Sequence, residues 1–499
     1  MSLVKTITMK MRTAVSLIAF VLLSPLAFAH VGSPDVYYQG QAGPYTLLVI
    51  IRPPAVIPGV AEIEVRSISP GVTRVEILPL RMVGPGAKLA PTPDVAQHLG
   101  DPKVFYGKLW IMDRGSWKVQ ITVDGDHGKA EMAVPVAAVS TASLGMRTAL
   151  GILLSVLGLL LVLGLVGIIG AANRDAELDP AQAPSPAQIK RARWRMAIAA
   201  VLMLAVVLFT NSWWKAEADD TAELTYKLPH LGVFLAADNS LRLQLHNPNA
   251  VRLTQFRTER PDRLRLDDLV PDHGHLMHLF IVRMPDMRSF WHLHPDQVET
   301  GEFSQRLPAM PAGQYRIYAD IVHHTGFPET QVGEINLGND LAPTNTRPLS
   351  GDDSGEAALA PSDEVAILAD GYHMVWERDA APLRAKQPIW FRFRIEDKDG
   401  KPASGLENYM GMAGHAVFMS TDGMVFSHIH PAGSVSMAAL AIAQGGTPGQ
   451  GMAGMDHSAP SADVSFLYGF PQAGDYRILV QVKREGRVET GSFVAHVGN

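Results

Sequence analysis

The chain has 499 residues, 43 Lys and Arg against 49 Asp and Glu, a formal net charge of −6, and no cysteine. The acidic balance argues against a nucleic-acid partner, because phosphate binding needs a basic footprint. The missing thiols exclude disulfides, thiolate metal sites and a blue-copper centre. They leave imidazole, thioether, carboxylate and backbone groups as metal donors, and 18 His and 21 Met are present to serve.

Residues 1–29 read as a signal peptide. Lys5, Lys10 and Arg12 precede an apolar run over 14–23, and Ala27-Phe28-Ala29 has the small–x–small form that a signal peptidase accepts. Cleavage there makes His30 the first residue. An uncleaved anchor is the alternative, but the run is shorter than the ~20 residues that span a bilayer.

Residues 30–142 show short alternating strands, for example over 45–51, 61–65 and 117–123, punctuated by Gly and Pro. This pattern suggests an immunoglobulin-like sandwich. Tyr106-Gly107-Lys108-Leu109-Trp110 followed by Gly115-Ser116-Trp117-Lys118-Val119 resembles the end of a YtkA/FixH-type domain. The resemblance implies an Ig-like fold and a setting in metal handling or oxidase assembly.

Two apolar stretches follow, over 148–172 and 196–214, each long enough to cross a ~30 Å hydrocarbon core. Trp213 and Trp214 close the second one, as suits a membrane–water interface. The loop 173–195 carries Arg174, Lys190, Arg191, Arg193 and Arg195, while Glu217, Asp219 and Asp220 flank the far end. The positive-inside rule puts the loop in the cytoplasm, and both larger segments then lie outside.

Beyond the spans the sequence repeats. Met277-His278-Leu279-Phe280-Ile281-Val282, Trp291-His292-Leu293-His294-Pro295 and Gly313-Gln314-Tyr315-Arg316-Ile317-Tyr318 recur in order. Their counterparts are Gly414-His415-Ala416-Val417-Phe418-Met419, Ser427-His428-Ile429-His430-Pro431 and Gly474-Asp475-Tyr476-Arg477-Ile478-Leu479. Two tandem β domains are expected, over 222–339 and 361–499, with 340–360 as a linker. The expected class is therefore mainly β, with three Ig-like or β-sandwich extracytoplasmic domains and two transmembrane α-helices.

Leu406-Glu407-Asn408-Tyr409-Met410-Gly411 running into His415, and then the His428-x-His430-Pro431 element, resembles bacterial exported proteins that accompany heavy-metal-binding domains. The first repeat departs from that pattern, with Asp272-His273-Gly274-His275 in place of the Tyr-x-Gly stretch. The resemblance implies a setting in metal or copper resistance.

Residues i and i+2 of a strand share a face. His292 and His294 therefore point together, and so do His428 and His430. Asp422-Gly423 is a two-residue turn signal, and folding about it opposes His415 to His430. A loop centred on Asp286 opposes His278 to His294. Each hairpin is then expected to offer three imidazoles, His278, His292 and His294 or His415, His428 and His430, on one face, a donor set for copper or, second, zinc. The alternative is that they are fold residues, bonding backbone or capping a turn.

A Gly/Pro/Ser-rich insertion over 445–462 holds Met452, Met455 and His457. Its Met-Asp-His-Ser run resembles those of periplasmic copper-resistance proteins, and thioethers select Cu(I). Met419 and Met424 read more simply as core filling. His30 could chelate copper through its amine and ring if His98 or His127 lay near. The pairs His273/His275 and His323/His324 read as solvated loop residues.

These features point to a metal-binding protein of a bacterial inner membrane, with its bulk in the periplasm, handling copper in tolerance, buffering or delivery. Its expected partners are the metal ion, the lipid bilayer and an efflux or oxidase complex. No enzymatic role is expected: a zinc hydrolase needs a general base, for which Glu407 is conceivable but has no counterpart in the first repeat. The competing class is an assembly scaffold with structural histidines.

Overall fold

The computed structural model describes residues 30–31, 35–176, 178–179, 182–223, 225–247, 266–341, 351–448 and 460–499. The expected signal peptide, and Met452, Met455 and His457 of the insertion, lie outside them. The chain is mainly β, with two long apolar helices, as expected.

The first β unit pairs two sheets. One runs Val36–Ala42, Tyr45–Arg52, Gly59–Ser67, Asp101–Ile111, Gln97–Leu99; the other runs Gly128–Ala138, Gly115–Gly125, Val72–Arg81, Asp94–Val95. Alternation explains the packing. Val49 pairs with Val65 and Ile51 with Ile63 on one sheet, Val75 with Val123 and Ile77 with Ile121 on the other, and all of them are buried in one core.

The helices span Thr148–Asp175 and Pro186–Glu223. Their mean hydropathies reach 3.0 and 2.0, and none of either apolar window is covered by protein. Leu161, Ile168 and Phe209 are largely exposed, which suggests membrane association, since water would not tolerate so large an apolar surface. The second helix starts ten residues before the expected span. A capping box explains this: Ser185 N–H donates to Gln188 Oε1 at 2.8 Å, Gln188 N–H donates to Ser185 Oγ at 3.4 Å, and Pro186 opens the first turn. Lys190, Arg191, Arg193 and Arg195 thus lie on helix, and Arg195 bonds Asn173 of the other helix.

Each repeat has a large sheet built on one hairpin. In the first repeat His278–Met284 pairs with Phe290–Leu293 on one side and Gly313–His323 on the other, with Pro328–Leu337 beyond. In the second, His415–Ser420 lies between Val425–Ile429 and Gly474–Arg484, with Arg487–Gly498 beyond. A four-stranded sheet backs each one. His30–Val31 adds to the second hairpin in parallel, opposite Val425 and Phe426.

The two large sheets face each other. Leu279, Ile281, Trp291 and Leu293 point into the first repeat's own core, and Ala416, Phe418, Val425 and Ile429 into the second's. The alternate residues, Phe280, Val282 and Phe290 against Val417, Met419 and Phe426, form a third core between the repeats. Tyr318 stacks on Phe426 at 4.1 Å and 8°. Burial on both faces is why these strands read as unbroken apolar runs. Met419 is core filling here, as its sequence context suggested.

The segment expected to be a linker is partly built into this body. Ser354–Glu356 extends the first hairpin as an edge strand, opposite Phe290, Trp291 and His292. The first β unit docks too: Gln39 N–H donates to Ala432 O and Ser434 N–H to Tyr37 O, while Met412, Val435, Met437 and Leu440 join its core.

Candidate metal centre

The hairpin registers place the histidines. Leu279 pairs with Leu293 and Phe280 with His292, so one step further His278 opposes His294. Ala416 pairs with Ile429 and Val417 with His428, which opposes His415 to His430. All six imidazoles lie on the inter-repeat face, at one end of the apolar core just described.

Two groups of three emerge. His278, His292 and His294 bring one ring nitrogen each within 4.8 Å of one another, and so do His273, His415 and His430. The first group is the set expected from the hairpin. In the second, His273 takes the place expected for His428. The reason is a tight turn. Asp272 and His275 exchange backbone bonds across His273 (φ 51) and Gly274 (φ 86), which turns His273 toward the other repeat. Tyr409-Met410-Gly411-Met412 forms the same turn in the second repeat, with φ 50 and 80. The two four-residue stretches that looked unlike are one structural element, and Met410 holds the position that His273 has in the first.

His428 is not stranded. Its ring lies 5.3 Å from His415, 4.7 Å from His430 and 5.4 Å from His278, and its Nδ1 is 3.5 Å from Asp320 Oδ2. His275 stacks on His294 at 3.9 Å. His273 and His275 are therefore parts of the cluster and not solvated loop residues. The D-H-G-H spacing, in register with Tyr-x-Gly before each hairpin, was the signal that could have found them.

Outer partners fix the rings. His292 Nδ1 meets Gln481 Oε1 at 2.9 Å, His278 Nε2 meets Asp272 O at 3.1 Å, and His294 Nδ1 meets Asp353 Oδ1 at 2.9 Å. His430 Nδ1 meets Val435 O at 3.0 Å, and His273 Nδ1 meets Met410 O at 2.9 Å. Each of these oxygens accepts from the nitrogen it meets, so in the neutral tautomer the ring's other nitrogen keeps its lone pair. The consequence is two pairs of opposed acceptors. His278 Nδ1 faces His292 Nε2 at 3.1 Å, and His273 Nε2 faces His430 Nε2 at 3.3 Å. Two lone pairs repel at that distance unless a cation lies between them. Nitrogens bound to one tetrahedral ion at 2.0–2.1 Å stand about 3.3 Å apart.

Further donors are orphaned. Both ring nitrogens of His415, Nε2 of His294 and Nε2 of His428 are buried with no hydrogen-bond partner. Leaving such a group unsatisfied costs about 1–3 kcal/mol. Burial, then the neighbouring imidazoles, hold His278, His292, His415 and His430 well below the usual histidine pKa. Burial brings His428 down to about 3 and also lowers His294, against the pull of Asp353. All six are neutral at pH 7, the form that binds metal. Each group can hold a metal ion, with an outer hydrogen-bond partner in place for every member except His415.

A cavity of about 620 Å³ opens onto the cluster, with His275, His278, His428, His430, Asp320 and Glu329 in its wall. Burial pushes the Asp320 carboxyl up to about 7, although the Thr330 hydroxyl donates to it.

The other expected candidates fall elsewhere. His98 packs on Phe105 at 4.4 Å and His127 lies 6.0 Å from Tyr45; of His30 only the backbone pairing is described. His323 is fully buried, with Nδ1 2.7 Å from Asp268. Burial disfavours its charged form, but the Asp268 and Glu329 carboxylates outweigh that and raise its pKa to about 9. It is an internal ion pair and not a loop residue; His324 is exposed, with Nδ1 2.6 Å from Asp268.

Fold and site together define a β-rich chain with two apolar helices and a histidine cluster able to hold metal. A family model described as "Domain of unknown function (DUF8832)" matches residues 238–332 and 366–499, one segment on each repeat. No curated protein matches. Among solved structures the chain is similar at 9% identity to dimeric latent PorU from Porphyromonas gingivalis (TM-score 0.14, covering 93% of this chain and 34% of that one). It is similar at 8% to the E. coli alpha-2-macroglobulin (TM-score 0.18, 94% and 23%). The chain spans about a third or less of these proteins, and likenesses at such TM-scores carry no argument.

Proposed function

We propose that this chain is a membrane-anchored metal-binding protein that holds copper at the interface of its two repeats, on the periplasmic side of a bacterial inner membrane. The observation that carries the reading is the pair of opposed imidazole lone pairs, His278 against His292 and His273 against His430. A histidine kept for fold alone would find a donor for each inward nitrogen.

Copper is favoured over zinc because both groups are wholly imidazole, and an imidazole site binds Cu(II) above its neighbours in the divalent series. The Met452, Met455 and His457 segment adds soft donors to the same chain. Sidedness rests on the five cationic residues between the two apolar stretches. The resemblance of the first β unit to YtkA/FixH-type domains points to the same setting, beside an efflux or oxidase complex. The role is buffering or delivery and not catalysis or transport: neither apolar stretch contains an ionisable residue that could carry an ion across.

The test is equilibrium dialysis of the detergent-solubilised full chain against Cu(I), Cu(II) and Zn(II) separately, repeated with His278, His292, His415 and His430 changed to Ala. Copper retained by the native chain and lost from the variant is expected. Equal retention by both, or tighter retention of zinc, overturns the assignment.

A further inference from the structure

The two histidine groups are not independent sites, one per repeat. His273 comes from the first repeat and completes the group whose other members, His415 and His430, come from the second. The groups also share a wall. The His273 ring is 6.0 Å from His278, and His292 is 6.3 Å from His415. His428 stands between them, 5.4 Å from His278, 5.7 Å from His292 and 5.3 Å from His415, with its Nε2 buried and unpartnered.

Aromatic rings and carboxylates enclose the cluster. Phe280 stacks on His292 at 4.2 Å and packs edge-on to His428 at 4.9 Å. Tyr409 closes on His415 at 5.0 Å and on His292 at 6.0 Å. These rings wall the cluster with apolar surface. Compensation for a bound positive charge comes from the outer layer, where Asp353 backs His294, Asp320 backs His428 and Asp352 backs His275. Asp353 thus stands behind the first group and Asp320 behind the His428 ring between the two.

We infer that the cluster is a single dinuclear metal centre straddling the repeats, with one ion at His278, His292 and His294, the other at His273, His415 and His430, and the unpartnered His428 nitrogen between them. It rests on the copper-binding reading and adds that the two ions are close enough to interact. Neither repeat alone completes the pair, so loading ties the repeats together.

The experiment is electron paramagnetic resonance of the Cu(II)-loaded full chain in detergent, with the spin count compared with the Cu(II) recovered after acid denaturation. Two ions per chain, a spin count below the recovered copper or a broadened spectrum with a half-field transition are expected. His273→Asn should bind one ion and show a full, resolved mononuclear spectrum. Asn tolerates the positive φ of that turn, and circular dichroism of the metal-free variant checks its fold. Two ions with full, independent spectra in the native chain would overturn the dinuclear centre and leave copper binding standing, as would one ion only, or a His273→Asn variant that still binds two. No bound copper would overturn both readings.

Discussion

His273 Nε2 lies 3.3 Å from His430 Nε2 across the boundary between the repeats, and each ring's other nitrogen is tied to a backbone carbonyl. The contact joins residues 157 positions apart. The two repeats thus meet through a histidine contact as well as through an apolar face.

The outer carboxylate of the first group gives one prediction. Asp353 accepts from His294 Nδ1, and its side chain is only 8% exposed. Changing it to Ala frees the ring to rotate and removes the negative charge behind it. Copper affinity, measured by competition with a chromophoric chelator, should fall about 10–100-fold with the fold intact. An unchanged affinity would mean that His294 is not a ligand.

Acid should destabilise the metal-free protein. The six imidazoles have pKa values below their unfolded value, about 3 for His428. Their neutral form is favoured in the fold, so the unfolded chain binds more protons below pH ~6.5 and stability drops as the pH is lowered through that range. Each such group removes up to ~1.4 kcal/mol per pH unit. His323 has the opposite sign: with a pKa raised to about 9, its contribution is full below ~6.5 and is lost as pH rises through 9. Urea midpoints measured from pH 5 to 10 should therefore peak between these limits, and copper should move the acid limb to lower pH. A flat profile would contradict the burial of neutral histidines.

The apolar interface should matter independently of metal. Phe426 stacks on Tyr318 and contacts Phe280 at 5.2 Å. Phe426→Ala should cost about 3–5 kcal/mol in denaturant unfolding of the metal-free chain. A loss under 1 kcal/mol would show that the repeats do not rely on this core.

Membrane association can be tested at the first helix. Leu161 is 66% exposed near its middle. Leu161→Arg adds a charge costing about 2.5–3.5 kcal/mol at a span's centre, and should lower the fraction of chain that resists alkaline carbonate extraction. The same fraction in both proteins would argue against a span.

Much of this was readable from residue order. The alternation of apolar residues marked the strands, the unbroken runs marked the helices, and Asp422-Gly423 with the i, i+2 rule set the hairpin registers that oppose His278 to His294 and His415 to His430. Which histidines group together was not readable. That depends on two sheets meeting face to face, a relation with no local signature, and on a left-handed turn that carries His273 across the gap. The same limit hid Asp353, which lies in a segment whose Ser, Gly and acidic residues look like a linker but whose backbone completes a sheet edge.

X-ray absorption at the copper edge of the loaded full chain reads the metal's neighbours. A first shell of about three imidazole nitrogens at about 2.0 Å is expected, lost when His278, His292, His415 and His430 are replaced by Ala. A shell of oxygen or sulfur neighbours, or an imidazole shell that survives those replacements, would contradict it.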